Sequence, residues 1–271
     1  MKRYPRYRVF AGSLTDATAK VDLAATYGKV GNAVNIWGYD NMAMLLAEIA
    51  NNEGGVVKFF LAPSGSQPAN STGMYQLVAA AGTEVEVTVT QNVRHEYSLT
   101  GVSGKWLLVE GKGASSTTAD LVAFLHAQEL LGAYTGQDHE YGRGVGHGLI
   151  ATNNIPIVAT ATTLTTDLTD VGLIVDVGGL SNLTLYVTNS GLQTGRINVY
   201  YEKSQAAPAD TTTMWRLCGT NGAALNFDTL TAEKAAHPLL VSGARWLAIK
   251  AAGLTDATDI AVSVCGVAQG G

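Results

Sequence analysis

The chain has 271 residues and a mass of 28.2 kDa, enough for one large domain or two of ordinary size. Hydrophobic residues make up 46% and charged residues only 14%, against about 25% charged in an average globular protein, so the chain can fill a core and disorder is not expected as its dominant state. A net charge of −5, two cysteines and no apolar run of the roughly 18 residues a membrane helix needs exclude three classes: a general nucleic-acid binder, a disulfide or cysteine–zinc scaffold, and a helical membrane protein.

Residues 1–19 read as a basic arm. Its start carries Lys2, Arg3, Arg6 and Arg8 and no acid, a charge of +4 that leaves −9 on the remaining residues. No apolar segment follows, so it is not read as a secretory signal. Tyr4, Tyr7 and Phe10 supply apolar surface that a free tail would not need. The expectation is contact between Lys2, Arg3, Tyr4, Arg6, Tyr7 or Arg8 and an acidic protein neighbour, such as a second copy of the chain. A solvated terminus is the plainer alternative, and nucleic acid is disfavoured by the overall acidity.

Residues 20–127 read as a first β-sandwich domain. Within it, Met42 to Ala50 has a helix-favouring composition, and so does Asp120 to Leu131. Both conflict with the strand character of their counterparts later in the chain. Tertiary context overrides local preference, so the first is read as a strand. The second is read as a strand running out into a short helix.

Residues 128–156 form a glycine-rich linker or extended loop, with Gly136, Gly142, Gly144, Gly146 and Gly148. It carries Asp138-His139-Glu140 and His147, with His126 nearby. The spacing is not the His-Glu-x-x-His of a metal-binding helix, so these are read as polar loop residues and no metal or cofactor is expected. Gly142 to Gly148 meets neither the dinucleotide nor the phosphate-loop spacing. His95 and His237 stand alone and are read as surface or packed histidines.

Residues 157–271 read as a second β-sandwich domain. Leu173–Val177, Asn182–Thr188, Arg196–Glu202, Met214–Cys218, Ala224–Asp228, Pro238–Val241, Arg245–Ala251 and Asp259–Val264 are its strand candidates. About eight short strands at this spacing imply a sandwich or a jelly roll.

The second domain repeats the first. A shift of 140 places Trp106-Leu107 on Trp246-Leu247, Met74-Tyr75-Gln76-Leu77 on Met214-Trp215-Arg216-Leu217, Gly82 on Gly222 and Leu99 on Leu239. A slip of one places Asn41-Met42-Ala43-Met44 on Asn182-Leu183-Thr184-Leu185, and an opposite slip places Asp120-Leu121 on Asp259-Ile260. The fold class is therefore all-β, a tandem duplicated sandwich or jelly roll with an arm and a linker. Trp106, Trp246, Trp215 and Tyr75 are read as repeat core or interface residues. Trp106 and Trp246 would stack on sugars if they proved exposed. Cys218 and Cys265 are read as two buried thiols rather than as a disulfide. No nucleophile–base or paired-carboxylate signature is found, so no enzymatic activity is expected.

The segments Asn182–Glu202, Asp210–Leu217, Ser242–Ile249 and Asp259–Gly266 resemble β-sandwich proteins of tailed-bacteriophage particles, such as head decoration and tail-associated proteins. The resemblance covers both copies but not the arm or linker. It implies a virion component, made in the host cytoplasm, that binds a capsid or tail lattice as a homo-oligomer, a trimer being favoured. Three alternatives stay open: a double-barrel capsid protein that forms the shell, a carbohydrate-binding adhesin or tail-fibre module, and an enzyme built on a β-sandwich, which would need a concave cluster of carboxylates or histidines that the sequence does not reveal.

Overall fold

The computed structural model describes residues 9–13, 21–36, 39–50, 54–79, 82–90, 94–99, 101–113, 119–129, 154–219, 222–241 and 243–268. These residues are almost wholly β, in paired sheets, as a sandwich requires. They divide into two compact units. The first draws on Met1–Thr72, Glu86–Thr152 and Val267–Gly271, the second on Gly73–Val85 and Asn153–Gly266.

In the first unit, one sheet runs β1 (Val9–Ser13), β11 (Ala119–Glu129), β5 (Tyr39–Ala50) and β9 (Arg94–Ser98), with β2 (Val21–Leu23) also on β11. The other holds β6 (Gly55–Ala62) beside β10 (Trp106–Gly113), with β8 (Glu86–Val89) on β6 and the short β3 (Gly28–Lys29) and β4 (Val34–Asn35) on β10. Strand β6 alternates buried and half-buried residues along its whole length, the period of a strand with one face in a core. Val57, Phe59 and Leu61 supply that inner face, opposite the fully buried Leu107 and Val109 of β10.

In the second unit, β12 (Ile155–Leu164), β20 (Thr258–Ala268), β14 (Leu180–Asn189) and β18 (Lys234–Pro238) lie side by side. The segment β7 (Tyr75–Leu77), which the repeat assigns to the first copy, pairs in parallel with β18. The facing sheet is β13 (Thr169–Asp176), β19 (Trp246–Gly253) and β15 (Gly195–Glu202), with β16 (Trp215–Arg216) and β17 (Phe227–Thr229) on β15. Aliphatic side chains from both sheets, among them Leu185, Val187, Ile197, Val199, Leu247, Ile249 and Ile260, form its core.

The repeat holds at the level of register. Trp106 pairs with Ala62 and Gly113 with Gly55, just as Trp246 pairs with Glu202 and Gly253 with Gly195. Gly55 also faces Val89, and Gly195 faces Thr229. Met44 faces Tyr97, and Leu185 faces His237, which reproduces the one-residue slip of the upstream strand. A slip in register would carry every core residue of a strand to the solvent face, so retained register means a retained core.

The helix-like stretch at Met42 to Ala50 is strand β5, since Met42, Met44 and Leu46 alternate into the core. The expected short helix after Asp120 does not begin within the described residues: β11 runs as strand to Glu129, its register broken only at two bulges. Around Pro238 the expected strand is displaced. The paired residues are Lys234–Pro238, and past them Leu240 is exposed. Among the described residues no helix is long and apolar enough to cross a membrane.

Candidate interaction surface

The two repeated tryptophans occupy equivalent settings. Each opens the strand that follows a basic residue, and each is half-buried. Trp106 Nε1 donates to Gly65 O at 3.2 Å, and Trp246 Nε1 donates to Ser204 O at 3.2 Å. Lys105 lies 6.0 Å from the Trp106 ring centre, and the Arg245 guanidinium 5.7 Å from that of Trp246. Lys105 Nζ also donates to Gly65 O at 2.7 Å, while Arg245 forms an ion pair with Asp176 at 3.0 Å. Each indole thus pins the loop that leaves β6 or β15, with a cation beside its ring. Both indoles are half-buried rather than fully exposed, each with its ring N–H tied to a loop carbonyl.

The other repeat pair diverges. Tyr75 is half-buried, with its ring edge-on to the fully buried Tyr186 at 5.0 Å and its hydroxyl accepting from Thr188 Oγ1 at 3.2 Å. Its counterpart Trp215 is 65% exposed. The arm residues Lys2, Arg3, Tyr4, Arg6, Tyr7 and Arg8 lie outside the described residues, as do His139 and His147 of the linker and the side chain of His126.

Groups with chemical potential are absorbed by the fold. His237 is fully buried, its Nε2 3.5 Å from Thr229 Oγ1 and its ring edge-on to Phe227. Burial drives its pKa down to about 4, so the imidazole is neutral at physiological pH. Arg196 and Asp228 form a two-pronged ion pair, with both bonds at 2.8 Å. No disulfide joins Cys218 to Cys265. Cys265 is buried as expected, which pushes its thiol up to about 12. Cys218 is exposed, contrary to expectation, because it sits at an isolated bridge to Ala224 outside the main ladders. Among the described residues no group of three His, Cys, Asp or Glu converges to hold a metal.

The feature that sequence reasoning missed lies at one end of the second unit. Four loops meet there: 165–168, 190–194, 230–233 and 254–257. They are cross-tied by hydrogen bonds from Gly253 N to Thr165 O, Leu254 N to Thr194 O, Thr231 Oγ1 to Leu192 O and Thr255 Oγ1 to Gln193 Oε1. Beneath them, the buried Asn189 uses its whole amide. Nδ2 donates to Gln193 O at 2.7 Å and Thr229 O at 3.0 Å, and Oδ1 accepts from Gly191 N at 3.0 Å and Thr258 Oγ1 at 2.8 Å. A side chain at Gly191 would lie 2.2 Å from Thr258 Oγ1, so glycine is required for this approach. Such a fully satisfied buried network fixes loop geometry.

On this fixed base each loop raises a leucine into solvent: Leu168 is 39% exposed, Leu192 84%, Leu230 48% and Leu254 41%. A single exposed leucine is ordinary, but four on adjoining loops form an apolar apex. The same loops carry Asp167, Glu233 and Asp256 and no lysine or arginine. Lys234, next in sequence, is turned toward Gly73 O and the Tyr75 ring. The signal in the sequence is a failure of the repeat: the positions matching Leu168, Leu192, Leu230 and Leu254 hold Tyr27, Asn52, Thr90 and Ala114. Thr258 is likewise matched by Ala119, its Leu164 partner in register corresponding to Leu23.

No protein-family model matches the chain, and no curated protein matches it significantly. Among solved structures, the PBSX exported protein XepA is similar at 12% identity and a TM-score of 0.31, covering 94% of this chain and 86% of that one. A protein chain in the structure of Sulfolobus Turreted Icosahedral Virus is similar at 12% identity and a TM-score of 0.28, covering 97% and 94%. The tandem CBM22-1–CBM22-2 domains of Paenibacillus barcinonensis Xyn10C are similar at 11% identity and a TM-score of 0.24, covering 96% and 91%. None of the three reaches a TM-score of 0.5.

Proposed function

We propose that the protein is a non-enzymatic structural component of a virus particle, as the resemblance to tailed-bacteriophage proteins implies, and that it binds and stabilises a capsid or tail lattice through protein contacts. The observation that carries this reading is the rigid, leucine-bearing apex of the second unit. The fold itself does not need those leucines, because the other copy keeps the same strand register with polar or small residues at the three matching positions 52, 90 and 114 and a tyrosine at 27. Apolar residues held out into water by a satisfied polar network favour a surface that another protein covers. The low charge of the whole chain, 14%, agrees with a molecule whose surface is largely covered by neighbours. A basic segment of +4 on an acidic body supplies a second contact element.

The test is fractionation. Lysate of the source cells is run on a density gradient after particle production is induced, and an antibody to the chain follows it across the fractions. The protein is expected to co-sediment with particles and to remain with them through a second gradient. Recovery only in the unassembled fraction would overturn the reading. The shell-forming alternative predicts one band of the chain as the dominant protein of the particle. The attached-component reading predicts a minor band beside a separate shell protein.

A further inference from the structure

We infer that the leucine apex of the second unit receives the basic, tyrosine-bearing segment 1–8 of a neighbouring copy of the chain, an inference that rests on the assembly reading above and names its contact. Two complementarities carry it. The apex loops hold three acids and no base, and segment 1–8 holds four bases and no acid, so the two are opposite in sign. The apex also offers four leucines, and the segment interleaves Tyr4 and Tyr7 with its cations, so apolar area can be buried while the charges meet at the rim. The acidic rim disfavours two other occupants. An anionic lipid surface would be repelled by Asp167, Glu233 and Asp256, and a second apex would set like charges against each other. The Glu233 carboxylate is half-buried and accepts from Leu230 N at 2.6 Å, and burial, with a smaller contribution from Glu84, raises its pKa.

The contact is tested in the full-length chain by disulfide trapping between two singly substituted proteins. Both carry Cys218→Ser to remove the exposed thiol; one adds Leu192→Cys and the other Tyr4→Cys. Mixing followed by mild oxidation is expected to give a disulfide-linked pair of twice the chain mass. Its yield should be at least about tenfold above that with Leu240→Cys, an equally exposed leucine at the far end of the strands, and should fall several-fold when salt is raised from about 0.05 to 0.5 M. Equal trapping at positions 192 and 240, or trapping indifferent to salt, would overturn the inference. So would a mixture dominated by Leu192→Cys pairs, which would mean that two apices meet each other. Loss of binding to neutral phosphatidylcholine vesicles in Leu192→Ser, without any trapping, would overturn it in favour of lipid. Co-sedimentation with particles does not depend on this contact, so failure here leaves the proposed function to its own test.

Discussion

His237 shows what a single residue contributes once its surroundings are known. In sequence it is a lone histidine, and the reading as a packed side chain is what the fold gives. Its folded-state pKa of about 4 lies below the ordinary 6.5, so the unfolded chain takes up a proton before the folded one does. Its contribution is therefore complete above pH 6.5 and is lost as pH falls toward 4. The expected loss, on the order of 3 kcal/mol, should appear in denaturant titrations across that window. His237→Leu should flatten the profile there; an unchanged slope would contradict the assignment. Gly82 and Gly222, matched by the repeat, make a second pair of predictions. Both have positive φ, 72° and 76°, so alanine costs about 1 kcal/mol at either. At Gly82 the new Cβ would also lie 2.6 Å from Asp228 O, whereas at Gly222 nothing stands within 4 Å. Gly82→Ala should therefore destabilise clearly more than Gly222→Ala, measured by thermal melting. Equal losses would mean that the backbone near Asp228 yields freely.

Strands and loops were legible to different degrees. The shift of 140 set by Trp106 and Trp246 is kept in the structure, where β10 pairs with β6 in the same register as β19 with β15, because large apolar residues and the tryptophans are tied to one face of a ladder. The same logic recovered β5 against its helix-favouring composition. Strand β18, Lys-Ala-Ala-His-Pro, was missed because its residues carry little strand preference; it is held by β14 and β7 on either side. The apex was missed for a different reason. Asn189, Gly191 and Thr258 are distant in sequence or ordinary turn residues, and only the folded loops bring them to one hydrogen-bonded centre. Asn189→Ala strands the amide of Gly191 and the buried carbonyl of Thr229, while Gln193 O keeps its bond from Thr258 Oγ1 at 2.8 Å, so it should cost about 2 kcal/mol by chemical denaturation. It should also speed hydrogen exchange in loops 190–194 and 230–233. A loss under about 1 kcal/mol would show that the loops hold themselves.

At the scale of the whole molecule, the duplication was readable because both copies must fill the same core. The proposed contact surface was readable only as places where the copies disagree: Leu192 against Asn52, Leu254 against Ala114, and exposed Trp215 against half-buried Tyr75. Positions that the fold constrains stay alike, and positions that a partner constrains are free to diverge. Four exposed leucines on a sparsely charged chain are poorly suited to an isolated life in water, and the proposed assembly would cover them. The most direct measurement is the solution mass of the purified full-length chain, by light scattering coupled to size exclusion, at low and high salt. The account predicts a closed oligomer several times 28.2 kDa, most simply a trimer, that weakens as salt screens the basic segment from the acidic apex. A 28.2 kDa monomer at both salt concentrations would contradict it.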